Sequence, residues 1–560
     1  MGRYRGCRWF WVMILGVALT GCGSDDEVGP GGGGSTASSG TGGTGGAGGA
    51  AGGNGGSGGS TVDPLGIYGL GNLDDDDQNG LADWEDAFFD GDNDITHFSL
   101  PPEWVAQLQP ADTVELTLSG QVDQIRIMRG GAVVLGAGAV ETSHVLSSAD
   151  AGVELQAEFA DFLRVGTLTA RHLGGGDTEL AVVDMPLMSA PLAMNHHMQP
   201  TEHVWAVQTN NNGEMIQTFQ DELGSRFTVV QNSDRWIQDE LEWATATAPG
   251  MRMEIAIDSI RDRNLDAWVK GLKAPDIQPI TWGIAGTDTT EDKFGNLEAV
   301  PAHIAGSDNY THGRIYYGAT DQVGPTDILT GFLDAQLLQA PLQLDVEWLC
   351  VGHVDEFLTF IPDPNAAKGF KLLYGDVDAA YTILQGMSPS ASIPLYGGTH
   401  GYSTVGALLN DAQLTALNTD IQNDYLTPIL NQLKSALDID EGDVIRIPSL
   451  FERVNCSYSS AWLETAALIP GMVNLTVVNI EGEPIRLFIP DPFMRGNGDP
   501  QSADPMIAAM EALLPGYELH FVDDWYGYHV MMGEVHCGTN FTRTPTADWW
   551  AESMHLLGGQ

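Results

Sequence analysis

Alternating apolar and polar positions dominate the chain between residues 100 and 190. The alternation is carried by Val114, Leu116 and Leu118, by Ile125 and Ile127, and by Val153, Leu155, Ala157 and Phe159. Glycine-rich turns at residues 129–131 and 174–176 separate such runs. Successive side chains of a strand face opposite sides of a sheet, so this pattern predicts strands with one buried face. Short strands at this spacing predict an antiparallel β-sandwich of immunoglobulin-like size.

From about residue 196 the pattern changes to strands mixed with helices. Leu414, Leu417, Ile421 and Tyr425 recur at helical spacing. The next two residues, Thr427 and Pro428, predict the cap and first position of a further helix. Residues 196–560 therefore predict an α/β domain.

The N-terminal residues have the pattern of an export signal. Arginines within the first eight residues precede an apolar run at residues 9–19, which is too short to span a bilayer as a mature helix. The run ends in Leu-Thr-Gly-Cys, which resembles a bacterial lipobox with Cys22 as the lipidated residue; the alternative is an ordinary signal cleaved nearby. We therefore expect an exported bacterial lipoprotein anchored at the outer membrane or cell surface, with no other membrane anchor.

A glycine-rich tether separates this signal from the folded part. More than half of residues 31–60 are glycine, and none of them is charged. A coil of this composition and length has an end-to-end distance on the order of 35 Å. The predicted organisation is a signal peptide (1–21), a flexible tether (22–62), an acidic calcium-binding loop region (63–99), the β-sandwich (100–195) and the α/β domain (196–560).

The acidic loop region has the ligand spacing of a calcium-binding loop. Six residues fall at loop positions 1, 3, 5, 6, 9 and 12 of an EF-hand-like motif: Asp75, Asp77, Asn79, Gly80, Asp83 and Asp86. Position 12 is Asp rather than Glu, and Asp90, Asp92 and Asp94 are further candidate ligands. The alternative is a solvated acidic loop, but so many carboxylates repel one another unless a cation lies among them.

The overall charge narrows the class of partner. The 560 residues include 24 Lys and Arg against 75 Asp and Glu, a formal net charge of −51, and 43% are hydrophobic. The hydrophobic content is enough for packed cores and excludes a disordered chain. The acidity argues against nucleic acid and favours metal ions or peptides rich in Lys and Arg, unless it serves only solubility.

The five cysteines are too few for a disulfide scaffold. After export and acylation of Cys22, three would remain: Cys350, Cys456 and Cys537. An odd number of cysteines in an exported protein suggests a reactive thiol.

Four segments of the α/β domain carry candidate chemistry. They are DRWIQDELE (234–242), FGNLE (294–298), VGHVDEFLTF (351–360) and GEVHCGTN (533–540). Taken singly, His353 could be a core histidine, Cys537 a buried small apolar residue and Asp239 a helix cap or ion-pair partner. Their presence in one domain favours a shared site.

Together these motifs resemble the protein-arginine deiminase family, whose order and separations they follow. Trp549 and Trp550 and the preceding calcium loop extend the resemblance to roughly residues 65–560. GHxD and a late HC also occur in the wider guanidine-modifying superfamily. The resemblance implies an immunoglobulin-like sandwich followed by an α/β propeller of five ββαβ units.

The implied activity is hydrolysis of peptidyl-arginine to peptidyl-citrulline and ammonia. Asp239 and Asp355 would hold the planar, cationic guanidinium in bidentate pairs. Cys537 would attack its carbon to give a covalent thiouronium intermediate, while His353 would first protonate ammonia and then activate water. Alternatives are deimination of free arginine or agmatine, an inactive calcium-stabilised binding protein, and a thiol protease, which the paired acids disfavour.

The same resemblance implies bound calcium and substrate contacts. The first Ca²⁺ would be bound by Gln238, Glu242, Glu298 and the carbonyls of Phe294 and Leu297, and the second by Glu240, Asp258, Ser259 and Asp262. The substrate would contact Trp236, Arg261 and Arg263. Met531 and Met532 replace residues that tend to be basic in the vertebrate enzymes, so peptide recognition is expected to differ.

Overall fold

The computed structural model describes residues 65–85, 94–320, 323–456 and 463–557. These residues lie in one compact unit and form a mixed α/β protein in which strands predominate. The signal, the tether, the lipidation residue Cys22 and the loop acids Asp86, Asp90 and Asp92 lie outside the described residues. None of the described helices is both long enough and apolar enough to cross a bilayer.

The first part of the described chain forms two sheets. Its strands are β1 (Ile67–Gly69), β2 (Thr96–Phe98), β3 (Thr113–Gly120), β4 (Ile125–Arg129), β5 (Ala132–Gly136), β6 (Ser143–Ser147), β7 (Leu155–Phe159), β8 (Val165–Gly174) and β9 (Thr178–Ser189). The strand order is β1-β9-β8-β3-β6 in one sheet and β2-β7-β4-β5 in the other. All neighbours are antiparallel except β1 and β9.

One hydrophobic core lies between these two sheets. Val114 and Leu116 of β3 and Ile125 and Ile127 of β4 are fully buried in it, in the predicted alternation. Val153 differs, because it precedes β7 and is exposed. Strands β1 and β2 belong to the same two sheets, so the acidic loop between them is attached to the sandwich at both ends.

The second part contains the remaining elements. In chain order the strands are β10 (Leu192–Met194), β11 (Thr201–Val207), β12 (Phe227–Val230), β13 (Leu241–Ala248), β14 (Met251–Asp258), β15 (Ile277–Thr281), β16 (Leu297–Val300), β17 (His303–Ala305), β18 (Asp308–Tyr310), β19 (Arg314–Ala319), β20 (Leu342–Asp345), β21 (Leu358–Pro362), β22 (Phe370–Asp376), β23 (Val444–Pro448), β24 (Phe451–Arg453), β25 (Thr465–Ala467), β26 (Thr476–Val478), β27 (Arg486–Pro490), β28 (Glu518–Val522) and β29 (Thr539–Arg543). The helices of the whole described chain are α1 (Pro102–Val105), α2 (Gly213–Leu223), α3 (Ile237–Glu240), α4 (Asp266–Lys270), α5 (Asp327–Ala335), α6 (Val377–Gly386), α7 (Pro394–Thr399), α8 (Val405–Leu409), α9 (Ala412–Asp420), α10 (Thr427–Leu437), α11 (Pro505–Leu513), α12 (Trp549–Glu552) and α13 (Met554–Leu557).

Five sheets of this part share one pattern of strands. In each, a first strand pairs antiparallel with a second, and the second pairs parallel with a third. The triplets are β13-β14-β15, β16-β19-β20, β21-β22-β23, β26-β27-β28 and β29-β11-β12. A helix connects the second and third strands of every triplet, as a parallel pair requires. The last triplet joins the C-terminal strand to the first strands of this part.

The helical run at residues 412–437 differs from its sequence-based prediction. Helix α9 continues through a wide π-type turn (Ile421–Leu426) directly into α10. Thr427 has no capping role, because Leu426 before it already has helical backbone angles. Pro428 lacks an N–H donor, and the wide turn lies just before it, where the hydrogen bonding of the helix is interrupted.

The C-terminal tryptophans connect the two parts of the described chain. The ring of Trp549 lies 5.5 Å from that of Tyr68 in β1, and its indole N–H donates to the carbonyl of Thr247 in β13. Both rings are buried. The end of the chain thus packs against both the sandwich and the first of the five repeated sheets.

Candidate active site

Three of the four predicted catalytic residues line one cleft. Asp239, His353 and Cys537 face it together with the predicted substrate contacts Trp236 and Arg263. The remaining lining residues are Thr290, Lys293, Val351, Met531, Met532 and Gly533. The fourth predicted catalytic residue, Asp355, is buried behind the thiol.

The site residues occur where the first strand of each repeated sheet begins. Asp239 lies in α3, directly before β13, and Phe294 begins a single helical turn before β16. Similar turns carry Asp355 before β21 and Cys537 before β29. Asn474 precedes β26 in the same way. All five sheets thus contribute to one site.

The Cys537 thiol is enclosed by polar groups. Its Sγ lies 3.6 Å from Oδ2 of Asp355, and Nδ2 of Asn474 donates to it at 3.4 Å. Burial raises the pKa of the thiol well above its usual value, and the negative charges of Asp355 and Asp239 raise it further. Both effects favour the neutral thiol over the thiolate.

Hydrogen bonding fixes the tautomer of His353. Its Nε2 lies 2.9 Å from the carbonyl oxygen of Thr290 and must donate to it. In the neutral ring Nδ1 then keeps a lone pair, 3.9 Å from Oδ1 of Asp239. The backbone of Gly295 passes so close that a Cβ there would lie 2.6 Å from this Nδ1. Glycine in the FGNLE motif is thus required by contact with the imidazole.

A second glycine allows close packing beside the thiol. A Cβ on Gly533 would lie 2.3 Å from the ring of Trp236 and 3.4 Å from Sγ of Cys537. The indole of Trp236 also packs edge-on against Tyr528, with ring centroids 5.6 Å apart. An aromatic wall is therefore held beside the nucleophile, where it could cover an aliphatic chain.

The first predicted calcium set is brought together beneath the cleft. Nε2 of Gln238 donates to Glu242 at 2.6 Å and to the carbonyl of Phe294 at 3.2 Å. Burial raises the pKa of Glu242 to about 8 and that of Glu298 well above its usual range, with Glu242 adding to the second shift. Leu297 is also buried, next to Glu298. Buried, mutually repelling oxygen donors fit a hard cation such as Ca²⁺.

The second predicted calcium set is gathered in part. Carboxylate oxygens of Glu240, Asp258 and Asp266 lie within 4.8 Å of one another. Burial raises the pKa of Glu240 to about 7 and that of Asp258 to about 6. No sequence motif indicates Asp266, whereas the predicted Asp262 does not belong to this group and has a left-handed φ of 43°.

Two other residues of this segment are held by internal bonds. Oγ of Ser259 accepts from the backbone N–H of Arg261 at 3.2 Å. The guanidinium of Arg261 is buried and forms ion pairs with Asp234 at 2.8 Å and with Glu240 at 2.7 Å. Arg261 thus lies outside the cleft, and of the two predicted substrate-binding arginines only Arg263 lines it.

The acidic loop of the sandwich is closed around three of its predicted ligands. Oxygens of Asp75, Asp77 and Asp83 lie within 4.8 Å of one another. The backbone N–H of Asn79 donates to Asp75 at 2.8 Å, and Gly80 has the positive φ of 96° that the turn requires. Burial raises the pKa of Asp83 to about 7.

The loop also contacts the second part of the chain. Nζ of Lys273 lies 3.2 Å from Oδ2 of Asp75, and the N–H of Asp276 donates to Asp74 at 2.8 Å. Burial, with the charge of Asp74, raises the pKa of Asp94 to about 10. The acidic loop is therefore bonded to the residue directly before β15, and it can influence the position of that strand.

Several site residues were not predicted from the sequence. Asn474 contacts the thiol, and its only signal is a polar residue within an apolar run. Lys293 lines the cleft, and burial lowers its pKa. Cys350 and Cys456 form a disulfide, which leaves Cys537 as the free thiol of the described chain. The odd cysteine count is thereby explained.

The fold and the site define this chain as a mixed α/β protein with a cysteine-centred polar cleft. The model of the protein-arginine deiminase family matches residues 182–551, and the chain belongs to that family. Protein-arginine deiminase type-4 of Rattus norvegicus is 34% identical over 382 residues, covering 64% of this chain and 55% of the relative. The type-4 and type-1 proteins of Homo sapiens are 32% and 31% identical over 421 and 419 residues, each match covering 70% of this chain and 60% of the relative. This chain thus spans less than two thirds of their length.

Proposed function

We propose that this protein hydrolyses the guanidinium group of arginine residues in peptides or proteins, producing citrulline residues and ammonia. The observation that carries the proposal is the placement of Cys537, His353 and Asp239 on one cleft, with Asp355 in contact with the thiol. Family membership supports the same reaction. The Trp236 wall beside the thiol suits the aliphatic part of an arginine side chain.

The raised pKa of the thiol implies activation by the substrate. A guanidinium bound beside Asp239 and Asp355 offsets the negative charges that disfavour the thiolate. Oδ1 of Asp355 has no hydrogen-bond partner among the described residues and is able to accept one from the substrate. The thiol proton would then pass to Nδ1 of His353, which is held with its lone pair in the cleft.

The chemical steps follow from these residues. The thiolate of Cys537 attacks the central carbon, and a carbon–sulfur bond forms. His353 donates its proton to one amino group, the carbon–nitrogen bond breaks and ammonia leaves. His353 then takes one proton from water, whose oxygen attacks the thiouronium carbon. The carbon–sulfur bond breaks, the remaining hydroxyl proton passes to solvent as the ureido carbonyl forms, and the thiolate remains.

We further propose that calcium assembles this site. Gln238, Glu242, Glu298 and the carbonyls of Phe294 and Leu297 would bind one ion, and Glu240, Asp258, Ser259 and Asp262 a second, with Asp266 available to it. The ions would supply positive charge that offsets these buried acids. Unpartnered oxygens of Glu298, Glu240 and Asp258 in the described chain support this proposal. Asp239 lies between the ligands Gln238 and Glu240 in the sequence. Binding of calcium to these neighbours would therefore fix the position of Asp239.

Two proposals concern architecture and location. The five equivalent strand triplets support a five-bladed α/β propeller, preceded by an immunoglobulin-like sandwich.

Lipidation at Cys22 would anchor the exported protein to the outer membrane or cell surface. The disulfide between Cys350 and Cys456 supports an oxidising compartment. Replacement of Cys22 by Ala should release the protein from membranes; unchanged membrane association of this variant would contradict lipid anchoring.

The decisive experiment compares two substrates, each in the presence and in the absence of calcium. The purified full-length protein is incubated with an acyl-arginine amide or with free arginine, in calcium or in chelator, and products are identified by mass spectrometry. We expect conversion of the amide in calcium, none in chelator, and none by Cys537→Ser in either. Faster conversion of free arginine would favour a small-guanidine deiminase, and peptide binding without turnover would favour an inactive binding protein.

A further inference from the structure

Two histidines and a glutamate form a second group of metal-ligand atoms behind the thiol. Ligand atoms of His197, Glu298 and His536 lie within 4.8 Å of one another, and all three residues are buried. Nε2 of His536 is 3.4 Å from Oε1 of Glu298. His197 lies four residues before β11, Glu298 lies in β16 and His536 lies just before β29. The group therefore joins three strands that belong to two sheets.

Hydrogen bonds turn both imidazole lone pairs toward this group. Nδ1 of His197 lies 2.8 Å from the carbonyl oxygen of Phe360 and must donate to it. Nδ1 of His536 lies 3.0 Å from Oδ2 of Asp355, which accepts in the same way. Each neutral ring therefore carries its lone pair on Nε2. Ligating histidines in metalloproteins are held by this kind of bond from the other ring nitrogen.

The atoms that face one another form no hydrogen bonds within the described chain. Among the described residues, Nε2 of His197, Nε2 of His536 and Oε1 of Glu298 accept or donate no hydrogen bond. Buried polar atoms are seldom left in this state, because burial removes their bonds to water. Three of them within 4.8 Å of one another are accounted for by a bound ion.

We propose that His197, His536 and Glu298 bind a borderline divalent ion of the zinc type. Two imidazole nitrogens and one carboxylate oxygen are a ligand set of zinc sites, with a fourth position left for water. Calcium selects oxygen ligands and would not use the imidazoles. The site is therefore chemically distinct from the calcium sets proposed above.

The two kinds of ion compete for one carboxylate. Glu298 belongs both to this group and to the first calcium set, and a zinc-type ion bound to it would reduce the negative charge that attracts calcium. A zinc-type ion would also hold His536 and, through it, Asp355 beside the thiol. Resting on the proposed function, the consequence is that zinc raises the calcium concentration needed for deimination.

The binding test uses cobalt as a spectroscopic substitute for zinc. The full-length protein is freed of metal and titrated with Co²⁺, and visible absorption bands that zinc abolishes are expected at one equivalent from this site. His197→Asn should weaken cobalt binding by at least about tenfold. His312→Asn, a matched change at another buried histidine, should leave it unaltered. Loss of binding in both variants, or in neither, would overturn the assignment.

Further measurements separate the metal site from the thiol and from the proposed reaction. A cobalt–thiolate charge-transfer band that disappears in Cys537→Ser would show that the thiol is the ligand and would refute the proposal. In turnover assays zinc should raise the half-activating calcium concentration of the unmodified protein but not that of His197→Asn. If cobalt binds as expected and no arginine substrate is converted, the metal site stands and the proposed function fails.

Discussion

At Cys537, burial and two carboxylates all raise the pKa of the thiol. Each favours the neutral form, and burial has the largest effect. The residues that would bind a cationic substrate thus also restrain the nucleophile until that substrate arrives. This arrangement disfavours the thiolate, which is the reactive form.

We expect Asp355→Asn to make the thiol more reactive while strongly slowing deimination. Removal of one negative charge lowers the thiol pKa, so the thiolate fraction at pH 8 rises and alkylation by iodoacetamide becomes faster. Deimination should lose about 2–5 kcal/mol of transition-state stabilisation, because a buried charge partner of the guanidinium is gone. Alkylation rates from pH 6 to 10 and kcat/KM on an acyl-arginine amide measure the two effects.

Asp239→Asn serves as the comparison for this prediction. It should shift alkylation in the same direction but less, because its charge has a smaller effect on the thiol than that of Asp355. Slower alkylation of Asp355→Asn than of the unmodified protein would contradict the electrostatic account.

At the scale of elements, short turns before strands carry the chemistry. The turn Val354–Glu356, which follows His353, is held on one side by β21 and on the other by the disulfide at Cys350. That cross-link joins segments 106 residues apart, next to β24. It thereby restrains the backbone that carries the imidazole.

The double variant Cys350→Ser/Cys456→Ser should be less stable by about 2–4 kcal/mol, because a large loop is no longer closed in the unfolded chain. Urea denaturation followed by fluorescence measures the free energy of unfolding. Reduction of the unmodified protein should reproduce the loss. Identical urea midpoints for the oxidised protein and the double variant would show that the cross-link makes no contribution.

At the scale of the whole molecule, clusters of acidic residues lie close to the contact between the sandwich and the α/β part. The sandwich loop with Asp75 and Asp83 contacts Lys273 and the start of β15, and β14 beside it ends at Asp258 of the second calcium set. Without cations, such buried acids repel one another or take up protons. Metal occupancy should therefore stabilise the sandwich and the α/β part together.

Calcium should raise the Tm of the full-length protein. Each site should add about 2.7 kcal/mol to the free energy of unfolding when calcium is in hundredfold excess over the Kd of that site. Asp75→Asn should reduce this increase, because it weakens the loop site. Asp177→Asn, an equivalent change at an exposed acid of the sandwich, should not. Thermal scans across a calcium titration provide the comparison. A Tm independent of calcium in all three proteins would refute the cation sites.

The parts of this protein that depend on local patterns could be predicted from its sequence. Period-two alternation specified β3, β4 and β7, since one face of each strand must be buried. The motifs around Asp239, His353 and Cys537 indicated guanidinium chemistry, because carboxylates, an imidazole and a thiol are the groups that it requires. Local patterns failed at Thr427, where tertiary packing continues the helix through a wide turn.

Contacts between residues that are distant in the chain depend on the three-dimensional fold. It placed Asn474 against the thiol, paired Cys350 with Cys456, turned Arg261 inward to Asp234 and Glu240, and directed His197 toward His536. None of these contacts leaves a periodic signal, because each joins residues that are far apart in the chain. These contacts form because the first strands of the five sheets begin close to one another. That arrangement results from strand pairing between segments that are distant in the chain.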